Sequence, residues 1–99
     1  MTAEHVSRGD IFLVAFNPTR GSEIRKIRKT RPCVIVAPLT TGGHPYPFRV
    51  RCTFDGKDGY VVADQLRAVD RERLVKNLGR LSDTTLNELL GVLQAMFAV

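Results

Sequence analysis

The residues able to do chemistry gather at the ends of apolar runs. Arg31 directly precedes Pro32 and the run Cys33 to Ala37, and Thr40 and Thr41 follow that run after Pro38 and Leu39. Asp64 and Gln65 end a second run, Tyr60 to Ala63. A guanidinium fork matches the oxygens of a phosphate, and a hydroxyl donates one further hydrogen bond. An arginine with one or two hydroxyls at the rim of a small barrel, next to a basic loop, is therefore suited to hold a phosphodiester. Each residue also has a plainer reading: a surface ion pair for Arg31, a turn for Thr40 and Thr41, a loop cap for Asp64.

The basic loop itself is dense. Of the 15 Lys and Arg, Arg20, Arg25, Lys26, Arg28, Lys29 and Arg31 stand together, with Glu23 the only acid among them. Such a run is by default a solvated loop. Its position between two strand-like runs favours binding, because a loop held by a rigid scaffold is where binding groups sit. Other chemistries are not indicated. His5 and His44 have no second histidine or cysteine at ligand spacing, so no metal and no other cofactor is expected. The chain has no GxxxxGK[ST] loop, no GxGxxG after a strand and no GxSxG elbow, which sets aside nucleotide-hydrolase and serine-hydrolase readings.

The elements that must position these groups are short. Ile11 to Phe16 is a continuous apolar run ended by Asn17-Pro18 and reads as a buried strand. Cys33 to Ala37 reads as a second strand, with Pro32 at its head, where the missing N–H costs little. Leu39 to Pro47 is rich in turn residues and reads as a loop. From Phe48 to Phe54 the pattern alternates, with Phe48, Val50, Cys52 and Phe54 on one face and Arg49, Arg51 and Thr53 on the other. That predicts a half-buried antiparallel strand, turned by Asp55 to Gly59 into a strand from Tyr60 to Ala63. Asp70 is placed to cap one helical turn through Arg73, and Leu74 to Leu81 reads as another short strand. Leu86, Leu89, Leu90, Leu93, Met96 and Phe97 then form one apolar stripe at helical spacing, with Thr85 and Glu88 as a capping box. Short strands followed by one amphipathic helix predict a mainly β domain with α: a small β-barrel closed or flanked by a C-terminal helix.

Composition sets the frame. With 99 residues, 43% hydrophobic and 25% charged, the chain is expected to be a single domain over 1–99. No apolar run approaches the ~20 residues of a membrane helix, and Met1 to Gly9 lacks an apolar signal core, so a cytoplasmic protein is expected. Cys33 and Cys52 lie inside apolar runs without CxxC spacing and read as small buried hydrophobes in a reducing compartment. A net charge of +5 and a pI near 9.8 favour polyanionic partners.

The order of the fragments is more specific than any one of them. Arg8-Gly9-Asp10-Ile11, Asn17-Pro18-Thr19-Arg20-Gly21-Ser22-Glu23 and Lys29-Thr30-Arg31-Pro32, running into a Val/Ile strand, resemble the MazF/PemK family of toxin–antitoxin ribonucleases. So do Pro38-Leu39-Thr40-Thr41, Tyr46-Pro47-Phe48-Arg49-Val50, and Ala63-Asp64-Gln65 followed by Arg67. The similarity extends from about Ser7 to the terminal helix. It implies an SH3-like, CcdB/PemK-like barrel with a C-terminal helix, acting as a homodimer. It also implies metal-independent, sequence-specific cleavage of single-stranded RNA, and a cognate antitoxin whose acidic tail occupies the RNA groove.

Carried over by position, the resemblance assigns Arg31, Thr40 and Glu23 to catalysis. The 2′-OH of the substrate would attack the adjacent phosphorus, leaving a 2′,3′-cyclic phosphate (or the opened 3′-phosphate) and a 5′-OH. Arg31 is too basic for a comfortable general base and is assigned to transition-state charge. Thr40 would donate to a non-bridging oxygen, and Glu23 would take the 2′-OH proton or merely neutralise the loop. Thr19, Gly21, Ser22, Arg25, Lys29, Thr41, Asp64 and Gln65 are the expected RNA contacts, with Tyr46 and Phe16 as bases' stacking partners or simple rim packing. Two alternatives belong to other classes: a non-catalytic CcdB-like poison of DNA gyrase, and an RNA-binding remnant with a broken site.

The chain departs from the pattern of the family it resembles between Val34 and Thr40, where about a strand and a loop are absent, roughly ten or more residues by usual element lengths. Along one extended strand Arg31 and Thr40 would stand up to ~30 Å apart, too far to share one phosphate. Either the chain folds back at Pro38, or a loop is missing from this stretch, which is the preferred reading, or the site is broken. The doubled Ile-Arg-Lys from Ile24 to Lys29 lengthens the basic loop as well.

Overall fold

Alternation from Arg49 to Phe54 becomes a strand because Val50 and Cys52 point to the interior while Arg51 and Thr53 stay exposed. The computed structural model describes residues 5–16 and 33–98. Within them lie β1 (Asp10–Val14), β2 (Cys33–Val36), β3 (Leu39–Thr41), β4 (Arg49–Phe54), β5 (Lys57–Val62), β6 (Arg67–Asp70), β7 (Leu74–Arg80) and α1 (Asp83–Phe97). Short 3-10 turns at Ala63–Gln65 and Arg71–Arg73 join β5 to β6 and β6 to β7. The architecture is mainly β with one C-terminal helix.

The strands pair as three antiparallel sheets, β1–β7, β2–β6 and β3–β5–β4, and among the described residues these are not closed into a barrel. β2 and β3 fall in separate sheets. Only Ala37 and Pro38 link them, and proline's fixed negative φ excludes the type I′ turn that a two-residue hairpin favours. The chain folds at Pro38 instead, so that β2 pairs with β6 while β3 pairs with β5. Val62 N–H donates to the Pro38 carbonyl at 2.9 Å, which holds the corner against β5. The expected loop from Leu39 to Pro47 therefore begins as a strand, because β5 offers Leu39–Thr41 a ladder that local turn propensity does not reveal.

The core sits between the three-stranded sheet and the helix. Val50, Cys52 and Val61 are buried together, with Ala37, Leu39, Leu81, Leu89 and Val92 packed against them. Val61 faces Leu39 on one side and Val50 on the other, so one residue ties three strands. Burying each such aliphatic side chain stabilises the fold by about 1.5–3 kcal/mol.

β1, expected to be buried, is half exposed, and β2 is exposed as well: Leu13 is 52% and Ile35 67% accessible. Side chains alternate between faces, and only one face of each two-stranded sheet meets the core. Cys33 lies on the exposed face with Ile35, so only Cys52 is the buried hydrophobe expected of both cysteines. Phe48 also leaves its expected face. It has φ +66°, is 45% exposed, and precedes the strand instead of belonging to it.

The hairpin turn is tighter than expected. Asp55 and Gly56, with φ +54° and +75°, form the whole connection, and β5 starts at Lys57. The Asp70 carboxylate accepts from Glu72 N–H at 2.9 Å, capping the turn Arg71–Arg73 as expected.

The helix begins earlier than the Thr85 capping box predicts. Ser82 is the N-cap, its hydroxyl accepting from Thr85 N–H at 3.1 Å. An acceptor three residues ahead satisfies an otherwise unpaired amide. Replacing Ser82 by alanine is expected to cost about 1 kcal/mol, lowering the melting temperature by roughly 4–8 °C for a domain this size. Thermal unfolding followed by circular dichroism checks it. Leu86, Leu89, Leu90 and Leu93 are partly buried, while Phe97 at the far end of the stripe is 71% exposed.

Candidate nucleic-acid interface

Thr40 is held by a strand pairing that leaves no space. β3 lies against β5 with Leu39 opposite Val61, Thr40 opposite Tyr60 and Thr41 opposite Gly59. A Cβ on Gly59 would run into the Thr40 carbonyl, so glycine is required for this approach. The Thr40 hydroxyl points to the carbonyls of Tyr60 and Gly42, each 3.4 Å away, at the long limit for a hydrogen bond. Both threonines are exposed. A weakly engaged, exposed hydroxyl is free to donate to a bound oxygen.

Beyond Thr41, Gly42 and Gly43 (φ +70° and +102°) reverse the chain, and Gly42 N–H closes the ladder on the Asp58 carbonyl at 2.8 Å. The segment from His44 to Phe48 then runs back toward the end of β5. Ala63 N–H donates to the Phe48 carbonyl at 3.1 Å, so this segment is pinned beside the turn that carries Asp64 and Gln65. Those two side chains are exposed. Thr40 stands opposite Tyr60 on β5, and Asp64 follows that strand in the turn Ala63–Gln65.

A groove of about 1370 Å³ unites part of this set. Thr40, Thr41 and Gln65 line it together with Phe16, Arg67 and apolar residues of β2 and α1, whereas Asp64 does not. At its edge the Arg67 guanidinium lies 4.5 Å from the centre of the half-exposed Phe16 ring. Of the expected site residues, Arg31, Glu23, Thr19, Gly21, Ser22, Arg25 and Lys29 lie outside the described residues.

Within the Arg8-Gly9-Asp10 motif, Gly9 and Asp10 hold the fold. Asp10 accepts from Ser7 N–H at 2.8 Å and pairs with Arg80 at 3.0 Å, while Gly9 at φ +95° accepts from Leu81 N–H. This fastens β1 to the end of β7. The Cys52 thiol is pushed above its ordinary range by burial and then by the nearby Asp58 carboxylate, so it stays protonated and inert at neutral pH.

Sequence reasoning missed two features of this face. One is the need for glycine at position 59, signalled only by a glycine inside a strand. The other is the Arg49 side chain, assigned to the solvent face but partly buried, with its guanidinium 4.8 Å from the Tyr46 ring centre.

The described residues thus form a small mainly β domain with a C-terminal helix and a wide, mostly apolar groove whose polar lining includes Thr40, Thr41, Gln65 and Arg67. The chain belongs to the PemK-like, MazF-like toxins of type II toxin–antitoxin systems, matching that family over residues 7–97. It is similar to the Endoribonuclease MazF of Staphylococcus epidermidis, 28% identical over 101 positions that take in 85% of this chain and 84% of that protein. It is also similar to the Endoribonuclease toxin ChpB of Escherichia coli K12, 32% identical over 108 positions, with 90% of this chain and 91% of that protein covered. The Endoribonuclease toxin MazF of the same strain is 36% identical over 73 positions, which cover 62% of this chain and 65% of that protein. The first two alignments are longer than the 99 residues of this chain, so those relatives carry residues with no counterpart here.

Proposed function

We propose that this chain is the toxin of a type II toxin–antitoxin pair and acts as a metal-independent endoribonuclease on single-stranded RNA. The observation that carries the reading is the family match over residues 7–97, together with relatives whose names specify endoribonuclease activity. In this reading the substrate supplies its own nucleophile. The 2′-oxygen bonds to phosphorus, the bond to the 5′-oxygen breaks, and Glu23 takes the 2′-OH proton. Arg31 neutralises the charge that builds on the phosphoryl oxygens and helps protonate the leaving 5′-oxygen. Thr40 donates to a non-bridging oxygen. The products are a 2′,3′-cyclic phosphate, or the 3′-phosphate that it opens to, and a 5′-OH.

Thr19, Gly21, Ser22, Arg25 and Lys29 contact the backbone, and Thr41, Asp64 and Gln65 address bases. The strands and C-terminal helix are compatible with the SH3-like fold of the family although the described sheets are not closed into a barrel, and the active form is a homodimer in the cytoplasm, silenced by a cognate antitoxin. The exposed, weakly bonded Thr40 hydroxyl at the groove supports its role. The gyrase-poison alternative is not favoured by relatives named endoribonucleases. The test pairs a long single-stranded RNA with single-stranded DNA of the same sequence. RNA is expected to be cut at discrete sites and the DNA left intact, because the DNA has no 2′-OH. Equal cutting of both would overturn the mechanism.

A further inference from the structure

The Tyr46 segment has a structure that neither the catalytic set nor the fold requires. Tyr46 is 55% exposed, and the Arg49 guanidinium lies 4.8 Å from its ring centre. His44 adds a second ring, 5.6 Å from Tyr46 and tilted by 55°. The segment is fastened at three points: Tyr46 N–H to the His44 carbonyl at 2.8 Å, Arg49 N–H to the Tyr46 carbonyl at 3.3 Å, and Ala63 N–H to the Phe48 carbonyl at 3.1 Å. The rings are thus presented by a braced backbone.

Arg49 is unusual in a second way. Among the described residues no carboxylate lies within ion-pair distance of it, and its Nε is buried without a hydrogen-bond partner. A buried, unmatched donor is a cost to folding. A guanidinium behind an aromatic ring and facing no acid suits an anionic ligand with flat groups.

Its place is equally telling. Gly43, at the start of the segment, would put a Cβ 3.7 Å from the Thr40 hydroxyl, and the end of the segment is bonded to Ala63, next to Asp64. Tyr46 therefore stands between the two ends of the set of exposed polar groups.

We infer that Tyr46, backed by Arg49, is a base-stacking subsite for single-stranded RNA, gripping a nucleotide near the one whose phosphate meets Thr40. The inference rests on the ribonuclease reading for its choice of ligand. A flexible single strand gains affinity wherever a base can lie on an aromatic face, and the cation behind the ring adds attraction for the neighbouring phosphate. The site makes no covalent contribution to cleavage; it selects and holds.

The chain has two tyrosines, Tyr46 and Tyr60, and no tryptophan, which gives the test its readout. In a Tyr60→Phe background, a mixed-sequence 2′-O-methyl oligoribonucleotide, which cannot be cut by 2′-OH attack, is titrated while Tyr46 emission and oligonucleotide anisotropy are followed. Binding is expected to quench Tyr46 emission. Tyr46→Phe, made in the unaltered chain, should keep the affinity, and Tyr46→Ala should weaken it ~10-fold, as for loss of one stacked base. Binding with unchanged emission and equal affinity in the alanine variant overturns the inference, as does no binding at all. A glutamate-rich peptide that quenches Tyr46 as deeply as the oligonucleotide also overturns it, assigning the segment to a protein partner. Cleavage plays no part in this readout, so its absence with unmodified RNA would sink the ribonuclease reading alone.

Discussion

Replacing Arg31 by alanine is expected to lower RNA cleavage by ~100-fold or more, the usual worth of a donor aimed at transition-state charge. Thr40→Ala is expected to do the same. In the proposed mechanism the two residues act on different oxygens of one phosphoryl group, so neither loss would be made good by the other. Thr40 is suited to its part because its hydroxyl has only two long contacts, at 3.4 Å, to give up when a phosphate oxygen arrives. Initial rates on a single-stranded RNA, under saturating and subsaturating conditions, measure both effects. The loss should fall mainly on kcat, since these contacts strengthen as charge develops. Wild-type rates in either folded variant would remove that residue from the mechanism. Thr40→Ser, which keeps the hydroxyl, should retain most of the activity.

Gly59→Ala is expected to be the most damaging substitution outside the catalytic set. The new methyl would meet the Thr40 carbonyl and the Thr41 Cα, both backbone atoms that no rotamer change can move aside. Overpacking of this kind costs about 1–3 kcal/mol, and more where the main chain must shift. Relief comes only by separating β3 from β5, which also displaces Thr40. The variant should therefore lose stability in denaturant unfolding and lose cleavage even where it remains folded. Gly56→Ala is the useful control. That glycine has open space around it but sits at φ +75°, so it tests turn strain without touching Thr40. Normal stability and cleavage in Gly59→Ala would contradict the described β3–β5 contact.

Much of the fold was legible because its signals are local. The turn residues from Asp55 to Gly59 announce a hairpin, although only Asp55 and Gly56 form its turn. The stripe from Leu86 to Phe97 announces a helix, and Asp70 announces its own cap. What was not legible depends on residues distant in sequence. Leu39 to Thr41 looks like loop material until β5 supplies a ladder, and β1 looks buried until it proves to share only a two-stranded sheet. Ser82 was passed over in favour of Thr85 because both are good capping residues; the chain path out of β7 decides between them.

The site was legible in the same measure. Thr40, Thr41 and Gln65 were marked from their places at strand ends, and they line one groove. Asp64 was marked with them and stands outside it. Arg49 was read from alternation alone as a solvent-facing cation, yet it lies under Tyr46, because residues 44–48 curl back over the start of β4. No periodic pattern encodes a curl of that kind. The seven expected site residues from Thr19 to Arg31 rest on the family resemblance.

The shortness of the stretch from Val34 to Thr40 bears on function as well as fold. The S. epidermidis and ChpB relatives carry residues with no counterpart here, and in this chain Ala37 and Pro38 alone join β2 to β3. The corner leaves β2 and β3 in different sheets, with a wide groove between the sheets and α1. Thr40 remains exposed at that groove despite the shorter path.

The most direct measurement is incubation of a long single-stranded RNA with the wild-type chain in EDTA, beside Arg31→Ala, with chemical analysis of the product ends. Discrete cuts bearing 5′-OH and 2′,3′-cyclic phosphate (or 3′-phosphate) ends, made by the wild type and lost in the variant, are the predicted result. Intact RNA after incubation with a folded wild-type protein, or cuts that leave 5′-phosphates, would contradict it.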